Sequence, residues 1–421
     1  MWNGRNGFVP HSALRTPHCL RWALALWLAV AVAVAVRTVV SPATHTVFPI
    51  FALSGEHWWA DRPLYAEYKP LDHFRYPPPF AVAVTPFSLL GPRAGGVLWS
   101  WVGIAALVAG LWRFGRDVLP REWGPGRLAL FLALGAAGAL RGLWNAQSNA
   151  LVVGLLLLGA AAVARRRWWA AAFLMAASAW VKLTPLAPAL LLCALWPRRL
   201  TGRLAVALAV GGLVPFLTRP PNIVLGHYCD WVGHLLGSGS ERWPGFRDGW
   251  TVWLVLRHLA EGTTGPLPVR APIDSSLYRA VQLLGAGAAL AWCLWQQRRG
   301  APRRWLVKVT LGIGLAWLML YGPAVEHATY VFLTPALAAA FLERDAWPRG
   351  RGLIVASFAL VMVLGWGAVA RLLPDRLSLL LAALPLGTAL YVAWLVGYAA
   401  LCGPTRFAPK PQAEAINGFV R

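Results

Sequence analysis

The sequence HWWADRPLYAEYKPLDHFRYPPPF, residues His57–Phe80, is a polar segment between a first apolar stretch and a long series of others. It concentrates acidic, basic and aromatic side chains and then runs into three consecutive prolines. Nearly everything after it is apolar. A polar island of this kind between apolar helices predicts one wall of an active site at a membrane surface.

The composition places the chain in a membrane. Hydrophobic residues make up 58% of the 421 residues and charged residues only 13%, whereas soluble domains have about a quarter charged residues. Runs of Ala, Leu, Val, Gly and Trp suit helices that pack in lipid. We therefore expect an all-α polytopic membrane protein, a bundle of about twelve transmembrane helices, with a first outer loop that carries the site.

The net charge of +23 is best explained by topology. Arginines form short clusters between apolar spans, as at Arg165–Arg167, which is the pattern of cytoplasmic loops under the positive-inside rule. This distribution argues against nucleic acid as a partner. The five cysteines occur singly, without CxxC spacing, so we expect neither a disulfide framework nor a zinc site. The sequence also has no metal-ligand spacing, P-loop or GxGxxG motif, so we expect no metal or cofactor.

Alternation of the basic loops predicts the topology. Both termini are cytoplasmic when Arg165–Arg167 lie inside. The expected regions are a tail at 1–20, a transmembrane domain at 21–402 with outer loops at 41–77 and 219–275, and a tail at 403–421. A secretory signal is the alternative for the first apolar stretch. Residues 78–90 are apolar but shorter than the ~20 residues of a span, so we expect them to cross only in part.

The first outer loop contains the candidate catalytic acids. Asp61, or else Glu56, can act as a general base that removes a proton from an acceptor hydroxyl as a new bond forms. Arg75 can hold a phosphate leaving group and neutralise charge in the transition state, and Tyr76 is a candidate for sugar or acceptor binding. The alternative for each residue is a solvated loop with incidental charges.

Two later outer segments add charged candidates. Arg247 can clamp a phosphate and Asp248 can orient it, although an exposed ion pair is the plainer interpretation. Glu326 and His327 lie between two predicted spans. An acid next to a histidine at membrane depth is hard to explain by packing, so we assign this pair a function.

Amides and one lysine mark other outer helix ends. Asn145, Gln147 and Asn149 lie at a helix corner, where they would either cap a turn or bind sugar hydroxyls. Lys182 ends an apolar span, where it would either snorkel to the interface or contact a lipid phosphate.

These motifs together resemble a known family. The segment YPPPF at Tyr76–Phe80 resembles the Y-x-Y-P-P-L-F segment of glycosyltransferase family 87, a branch of the GT-C membrane glycosyltransferases. Gln147-Ser148-Asn149 resembles its G-Q-x-N, VKLTP at Val181–Pro185 its I-K-L-T-P, and Tyr321–His327 a variant of its S-P-x-S-W-x-H-H. The motifs occur in the same order, and their order and spacing are more specific than any one of them.

The resemblance implies a function. It implies a GT-C-like fold and an inverting hexosyltransferase, which uses a polyprenyl-phosphate sugar, often mannose, at the outer face of the plasma membrane. The partners would be this donor, a lipid or glycan acceptor and membrane lipids. Gln147, Asn149, Lys182 and His327 carry over by motif match, and Arg75 and Arg247 would help to hold the donor phosphate.

The sequence departs from the family in two places. Members carry an acid shortly after the first span, in a pattern close to D-x-x-V-Y, and the stretch Thr44–Phe48 has no carboxylate here. Ala328 replaces the second histidine of the family's pair. Either Glu56 or Asp61 has taken over the base role, or the activity has changed or been lost.

Three hypotheses follow. The leading one is a lipid-linked sugar transferase, in which Asp61 or Glu56 shares an outward cavity with Lys182, Arg247 and the Glu326–His327 pair. A transporter or flippase is the rival, but transporters place ionisable groups near the bilayer midplane and contain internal repeats. The third is a catalytically silent family member that binds a lipid-linked sugar or scaffolds a partner.

Overall fold

A computed structural model describes residues 16–44, 46–69, 71–237, 251–252, 276–322, 325–364, 379–404 and 407. All regular secondary structure in these residues is helical, which confirms the all-α prediction. Two residues of the predicted site, Arg247 and Asp248, lie outside the described residues.

Fifteen α-helices are described, joined in places by short 3-10 or π-helical turns. They are α1 (Thr16–Val40), α2 (Phe48–Trp59), α3 (Pro78–Ser88), α4 (Gly91–Asp117), α5 (Pro125–Trp144), α6 (Asn149–Ala164), α7 (Trp168–Val181), α8 (Leu186–Leu195), α9 (Gly202–Leu213), α10 (Pro221–Gly237), α11 (Ser276–Arg298), α12 (Arg303–Tyr321), α13 (Thr334–Leu342), α14 (Arg351–Phe358) and α15 (Leu379–Leu401).

Within the described part of the chain, six helical segments are long and apolar enough to cross a membrane, as judged by length and composition. They are His18–Val40, Gly91–Asp117, Pro125–Trp144, Pro197–Leu217, Arg303–Tyr321 and Ala383–Leu401. The apolar helices α6, α7 and α8 are shorter, with 10–17 residues each. The protein is therefore a multi-pass membrane protein, while the total of about twelve spans stays a prediction.

Helix α1 shows how the apolar sequence meets both lipid and protein. Trp27 is buried and its indole nitrogen donates to the carbonyl oxygen of Leu132 in α5 at 3.1 Å. The large apolar side chains that α1 leaves exposed include Trp22, Leu24, Leu28, Val32, Val36 and Val40. An apolar surface of this extent is unusual in soluble proteins but suits contact with acyl chains.

Helices α4 and α6 pack in close backbone contact. A Cβ atom on Gly154 would lie 2.3 Å from the carbonyl carbon of Ala106, and one on Gly110 would lie 2.6 Å from the carbonyl oxygen of Gly154. Small residues at such a crossing let transmembrane helices approach closely, which is how they associate where burial from water gives no driving force.

The first outer loop contains a helix and leads into another. Pro78 and Pro79 occupy the first turn of α3, where a missing N–H costs no hydrogen bond and the fixed φ favours the helix. Pro77 precedes them in an extended conformation (φ −68°, ψ 158°), as expected for a residue before proline. With 11 residues, α3 is about 16 Å long, roughly half the thickness of the hydrocarbon core.

The predicted outer loop at 219–275 begins with a helix that the apolar pattern did not predict. In α10, Val224, His227 and Trp231 are buried, while Leu225 and Val232 are exposed. The spacing of the buried positions is helical, although polar residues interrupt the apolar pattern. A helix with apolar residues on its open side suits the membrane interface.

Loops assigned to the cytoplasmic face contact one another. Arg165 pairs with Asp117, at 3.6 Å between Nη1 and Oδ1, and Arg304 donates to the carbonyl oxygen of Arg116 at 2.9 Å. These contacts place three separate loops at one end of the bundle, as the positive-inside assignment requires. The identity of that end as cytoplasmic stays a prediction.

A buried ion pair ties the C-terminal helices together. Lys308 Nζ lies 2.5 Å from Glu343 Oε2, and both side chains are almost fully buried. The hydroxyl of Tyr398 donates to the same carboxylate oxygen at 3.2 Å. Loss of one partner would leave a buried charge, which is far more costly than loss of an exposed pair.

The α4–α6 crossing generates a stability prediction. We expect Gly154→Ala to lower the thermal unfolding temperature of the purified protein in detergent, because the new methyl group meets backbone atoms and overpacking costs about 1–3 kcal/mol. The matched control is Gly287→Ala in α11, where a Cβ meets no atom within 4 Å. An equal change in both variants would contradict the close packing.

Candidate active site

A chain of hydrogen bonds joins four predicted site residues. Lys182 Nζ donates to Asn149 Oδ1 at 3.1 Å, and Asn149 Nδ2 donates to Gln147 Oε1 at 2.7 Å. Gln147 Nε2 in turn donates to Glu326 Oε2 at 3.3 Å. These residues, here called the polar network, come from the α5–α6 corner, the end of α7 and the segment after α12.

Asn149 is the central member of the polar network. Its side chain is 3% exposed, and Nδ2 also donates to the carbonyl oxygen of Ala328 at 3.2 Å. Asn149 therefore forms hydrogen bonds with the Gln147 amide, the Lys182 ammonium group and the Ala328 carbonyl at the same time. A buried polar side chain with all these partners fixes the relative positions of the elements that carry them.

The carboxylate of Glu326 is held from a second direction. Glu326 caps the 3-10 helix His327–Phe332 in a reciprocal arrangement, in which its side chain accepts from the backbone N–H of Thr329. The backbone N–H of Glu326 donates to Thr329 Oγ1 at 3.1 Å. This capping box satisfies backbone donors that the helix start leaves open and aims the carboxylate toward Gln147.

Tyr76 borders the polar network from the first outer loop. Ser148 Oγ donates to the Tyr76 hydroxyl at 3.4 Å, and the tyrosine ring stacks on Phe80 with centroids 4.6 Å apart. The ring meets Phe51 edge to face at 4.9 Å. The YPPPF segment thus uses aromatic packing to present one hydroxyl beside the amides.

Arg75 lies beside Tyr76 and pairs with an acid of the same loop. Its Nη2 is 3.1 Å from Asp72 Oδ1, and about a third of each side chain is exposed. Asp72 also lines a small cavity together with His57 and Tyr68. The loop therefore brings a guanidinium group to the site while one acid balances part of its charge.

Burial and neighbouring charges perturb two groups of the site. Burial lowers the pKa of Lys182, the Glu326 carboxylate opposes this change and Arg75 adds to it. Burial raises the pKa of Tyr76 to about 12, with smaller effects from Ser148 and Glu326. Tyr76 is therefore a neutral hydrogen-bond donor at physiological pH.

His327 faces a different part of the bundle from its neighbour Glu326. It lines a cleft with Arg141 and Tyr330, and burial, followed by the charge of Arg141, lowers the pKa of His327 to about 4. The backbone at Glu326 is extended (φ −88°, ψ 162°), which turns consecutive side chains to opposite sides. His327 is therefore neutral at physiological pH.

The two candidate bases lie at the end of α2. Asp61 is exposed, has a positive φ of 52° and pairs with Arg219 at 3.3 Å between Oδ1 and Nη2. Glu56 is exposed on the last turn of α2. Within the described residues no hydrogen bond or ion pair joins either acid to the polar network, and the cavity of this loop is lined by Asp72 instead.

Asn145 and Arg219 contribute to the framework of the site. The carbonyl oxygen of Asn145 accepts from Val47 N–H at 3.0 Å, which fastens the start of α2 to the α5–α6 corner. Arg219 Nε donates to the carbonyl oxygen of Trp58 at 3.0 Å and so fastens the end of α2. Neither Arg219 nor Arg141 was predicted from the sequence. A lone arginine at a helix end assigned to the outer face departs from the positive-inside rule, and this departure could have indicated both.

The arrangement is suited to binding a sugar phosphate. Amides, a carboxylate and a tyrosine hydroxyl are typical partners of sugar hydroxyls, and Lys182 and Arg75 supply positive charge for a phosphate. In the described part of the chain no group of three or more His, Cys, Asp or Glu side chains is placed to hold a metal ion.

The central role of Asn149 can be tested by stability. We expect Asn149→Ala to destabilise the protein by about 1–3 kcal/mol, because it removes the partners of Lys182, Gln147 and the Ala328 carbonyl from a buried site. Asn145→Ala at the same corner is the control, since its described contact is made by the backbone. Thermal unfolding in detergent measures both, and an unchanged transition for Asn149→Ala would refute the assignment.

Of the comparisons with known proteins, the match to a family model agrees with the motifs. No curated protein matches the chain. One solved structure, ArnT from Cupriavidus metallidurans bound to undecaprenyl phosphate, is similar with a TM-score of 0.38 and 17% identity, over 90% of this chain and 78% of that chain. Residues 74–320 match the model of glycosyltransferase family 87. Because this match covers more than half of the sequence, the chain belongs to glycosyltransferase family 87.

Proposed function

We propose that this protein transfers a hexose, with mannose as the first candidate, from a polyprenyl-phosphate donor to a lipid or glycan hydroxyl. The transfer takes place at the outer face of the plasma membrane and inverts the anomeric carbon. The observation that carries the proposal is the polar network, in which Glu326, Gln147, Asn149 and Lys182 meet at one end of a bundle that is otherwise apolar.

Different residues of the polar network and its surroundings bind different parts of the donor. Gln147 and Glu326 bind hydroxyls of the sugar, and Tyr76 adds a neutral hydrogen-bond donor beside them. Lys182 and Arg75 balance the negative charge that builds up on the phosphate as the bond to the sugar breaks. Such contacts are strongest when the donors are already fixed by other partners, as Lys182 is by Asn149.

The chemical step is a single displacement. A carboxylate, Asp61 or Glu56, takes the proton of the acceptor hydroxyl, and the acceptor oxygen forms a bond to the anomeric carbon. The bond between that carbon and the phosphate oxygen breaks, and the lipid phosphate leaves with the electron pair. The transition state has oxocarbenium character, as in enzymatic glycoside cleavage.

Two features of Asp61 support it as the first choice of base. Its positive φ of 52° is uncommon for a residue other than glycine, and such conformations are found preferentially at functional sites. Its carboxylate is exposed at the outer loop, where an acceptor can reach it. An ion pair with Arg219 holds it there.

The same ion pair also supports a second candidate function. A carboxylate held by Arg219 is less free to approach an acceptor hydroxyl, and the stretch Thr44–Phe48 supplies no other carboxylate. A family member that binds a lipid-linked sugar without transferring it would fit this arrangement. Tight donor binding without turnover would identify it.

The base assignment is tested by two separate variants. We expect Asp61→Asn to reduce transfer from labelled polyprenyl-phosphate mannose by about 10²-fold or more, the usual contribution of a general base. The assay uses purified protein with a membrane lipid extract as the source of acceptor. Glu56→Gln tests the other acid, and Glu67→Gln, an exposed acid of the same loop, is the control. Full transfer by both variants would show that the base is elsewhere.

The polar network is tested by its effect on donor use. We expect Gln147→Ala to raise KM for the donor about tenfold or more. The variant removes the proposed contact with a sugar hydroxyl and also the partly buried hydrogen bond that orients Glu326, and a hydrogen bond to a charged group contributes about 1.5–3 kcal/mol. The matched amide control is Asn222→Ala, on the exposed first turn of α10. Uptake of the labelled donor into vesicles without any covalent product would favour a transporter instead.

A further inference from the structure

Arginines and tryptophans gather at the end of the bundle that lies away from the polar network. Helices α6, α7 and α12 each run between these two ends, because Asn149 begins α6, Lys182 follows α7 and Glu326 lies beyond α12. At the far end the α6–α7 turn meets the start of α12, since the guanidinium carbon of Arg303 lies 5.9 Å from the ring centre of Trp168. The proposed transfer assigns no role to this end.

The tryptophans indicate the depth at which these arginines lie in the membrane. Trp168 packs against Trp196 at the end of α8, with ring centres 6.0 Å apart, and both side chains are partly buried against the core. Arg203 lies over the ring of Trp169 at 5.3 Å. Because tryptophan is enriched at the level of the lipid headgroups, the guanidinium groups lie where the phosphates of phospholipids are found.

Two arginines at this end have no acidic partner in the described part of the chain. Arg166 and Arg303 lie close enough for their charges to repel each other, and no described carboxylate forms an ion pair with either. Asp117, the acid of a neighbouring loop, pairs instead with Arg113 at 3.3 Å and with Arg165 at 3.6 Å. The Nε atom of Arg303 is shielded from solvent and has no hydrogen-bond partner among the described residues. An anion between the two guanidinium groups would remove the repulsion and accept hydrogen bonds from both.

The backbone at Arg166 has a conformation that glycine usually supplies. Its φ is 62°, and the N–H groups of Arg166 and Arg167 donate to the carbonyl oxygens of Val163 at 3.0 Å and Ala162 at 2.9 Å. This pattern is the Schellman motif of helix ends, in which glycine is the usual residue with positive φ. An arginine has a steric cost there, and strained residues of this kind are concentrated at functional sites. We therefore attribute a contact to the Arg166 side chain.

Two helix starts add to the positive potential of the arginines. Helices α7 and α12 begin where Trp168 and Arg303 meet, and neither start is capped by a side chain. The first N–H groups of a helix have no partner within it, and the helix dipole places partial positive charge at the same end. These dipoles reinforce the charges of the arginine side chains, which are larger and define the site.

We propose that the headgroup of an anionic phospholipid binds at this end of the bundle, at an arginine cluster formed by Arg166, Arg303, Trp168 and Trp196. The two guanidinium groups donate to the phosphate oxygens, and the tryptophan rings hold Arg303 in place. Helix α7 leaves Phe173 exposed, as a helix in contact with lipid does, so the phospholipid reaches the cluster from the adjoining leaflet. Basic pockets between transmembrane helices are typical sites of such headgroups.

The charge of the arginine cluster selects the class of lipid. Two arginines that already repel each other disfavour a headgroup with its own cation, so the cluster prefers phosphatidylglycerol to phosphatidylcholine. The bound headgroup joins the ends of α6, α7 and α12, whose opposite ends hold the polar network. Lipid binding at this end is independent of the proposed sugar transfer.

The test measures the affinity of phosphatidylglycerol and phosphatidylcholine for the purified, delipidated full-length protein in detergent, by native mass spectrometry. We expect the wild type to bind phosphatidylglycerol about tenfold more tightly than phosphatidylcholine, and Arg303→Gln to lose this preference, because one charge-assisted hydrogen bond accounts for about that factor. Arg303→Lys keeps the charge without the planar fork of donors and should recover part of the preference.

Arg166→Gly separates lipid binding from a role in the fold. Glycine adopts a positive φ without steric cost, so this variant should unfold at the same temperature as the wild type or a higher one in lipid-free detergent. It should nevertheless bind phosphatidylglycerol about tenfold more weakly. A purely structural Arg166 would give the reverse result, with a lower unfolding temperature and an unchanged lipid preference.

Two matched variants serve as controls. Arg127→Gln removes an exposed arginine in the first turn of α5, at the same end of the bundle. Ala146→Gly makes a similar backbone change at the α5–α6 corner, where φ is 51°. Both should keep the preference of the wild type for phosphatidylglycerol.

Several outcomes would overturn the arginine cluster as a lipid site. One is equal affinity of the wild type for the two lipids, and another is an unchanged preference in both Arg303→Gln and Arg166→Gly. An equal loss in Arg127→Gln would show a diffuse attraction of the whole basic end instead of a site. Glycerol phosphate that competes as well as phosphatidylglycerol would show a site for soluble anions. Sugar transfer enters none of these measurements, so a failed transfer assay would count only against the proposed function.

Discussion

The amide of Asn149 is the contact on which the end of the bundle with the polar network depends. It accepts from Lys182, donates to Gln147 and donates to the carbonyl of Ala328, so it joins three parts of the chain. Apolar contacts alone do little to select one register between neighbouring transmembrane helices, because the surrounding lipid is as apolar as leucine. A buried amide whose partners are all satisfied supplies that preference, and the binding groups are positioned as a consequence.

A close helix crossing on one side and an aromatic side chain on the other hold the Asn149 contacts in place. The Gly110–Gly154 crossing brings α4 against α6 and so fixes the direction in which α6, with Asn149 at its first position, meets the outer loops. From the other side, Trp99 in α4 donates from its indole nitrogen to the carbonyl oxygen of Ala146 at 2.9 Å. The α5–α6 corner is therefore held by contacts on both sides. Rigid helices, rather than a flexible loop, position its polar side chains.

Much of the architecture could be predicted from the sequence, but contacts across the chain could not. The apolar runs and arginine clusters predicted the helices, and Gln147, Asn149 and Lys182 were identified because polar residues at helix ends are few and costly. Gln147 bonds to Glu326, which lies 179 residues further along the chain. This contact depends on how distant helices pack, and a local sequence pattern does not predict such packing. The partner of Asp61 was missed for the same reason, since Arg219 lies beyond seven intervening helices. Helix α10 was missed because polar residues interrupt its apolar face.

The Glu326–His327 pair gains a physical explanation from the extended backbone between them. Side by side in sequence, an acid and a base would be expected to pair, yet Glu326 binds Gln147 and His327 lines the cleft of Arg141. The carboxylate is thereby kept for the amides of the polar network. Because His327 is uncharged, it does not compete with Lys182 for the carboxylate. Two adjacent residues thus contact different parts of the bundle, and this separation lets one carboxylate bind an amide without a competing histidine beside it.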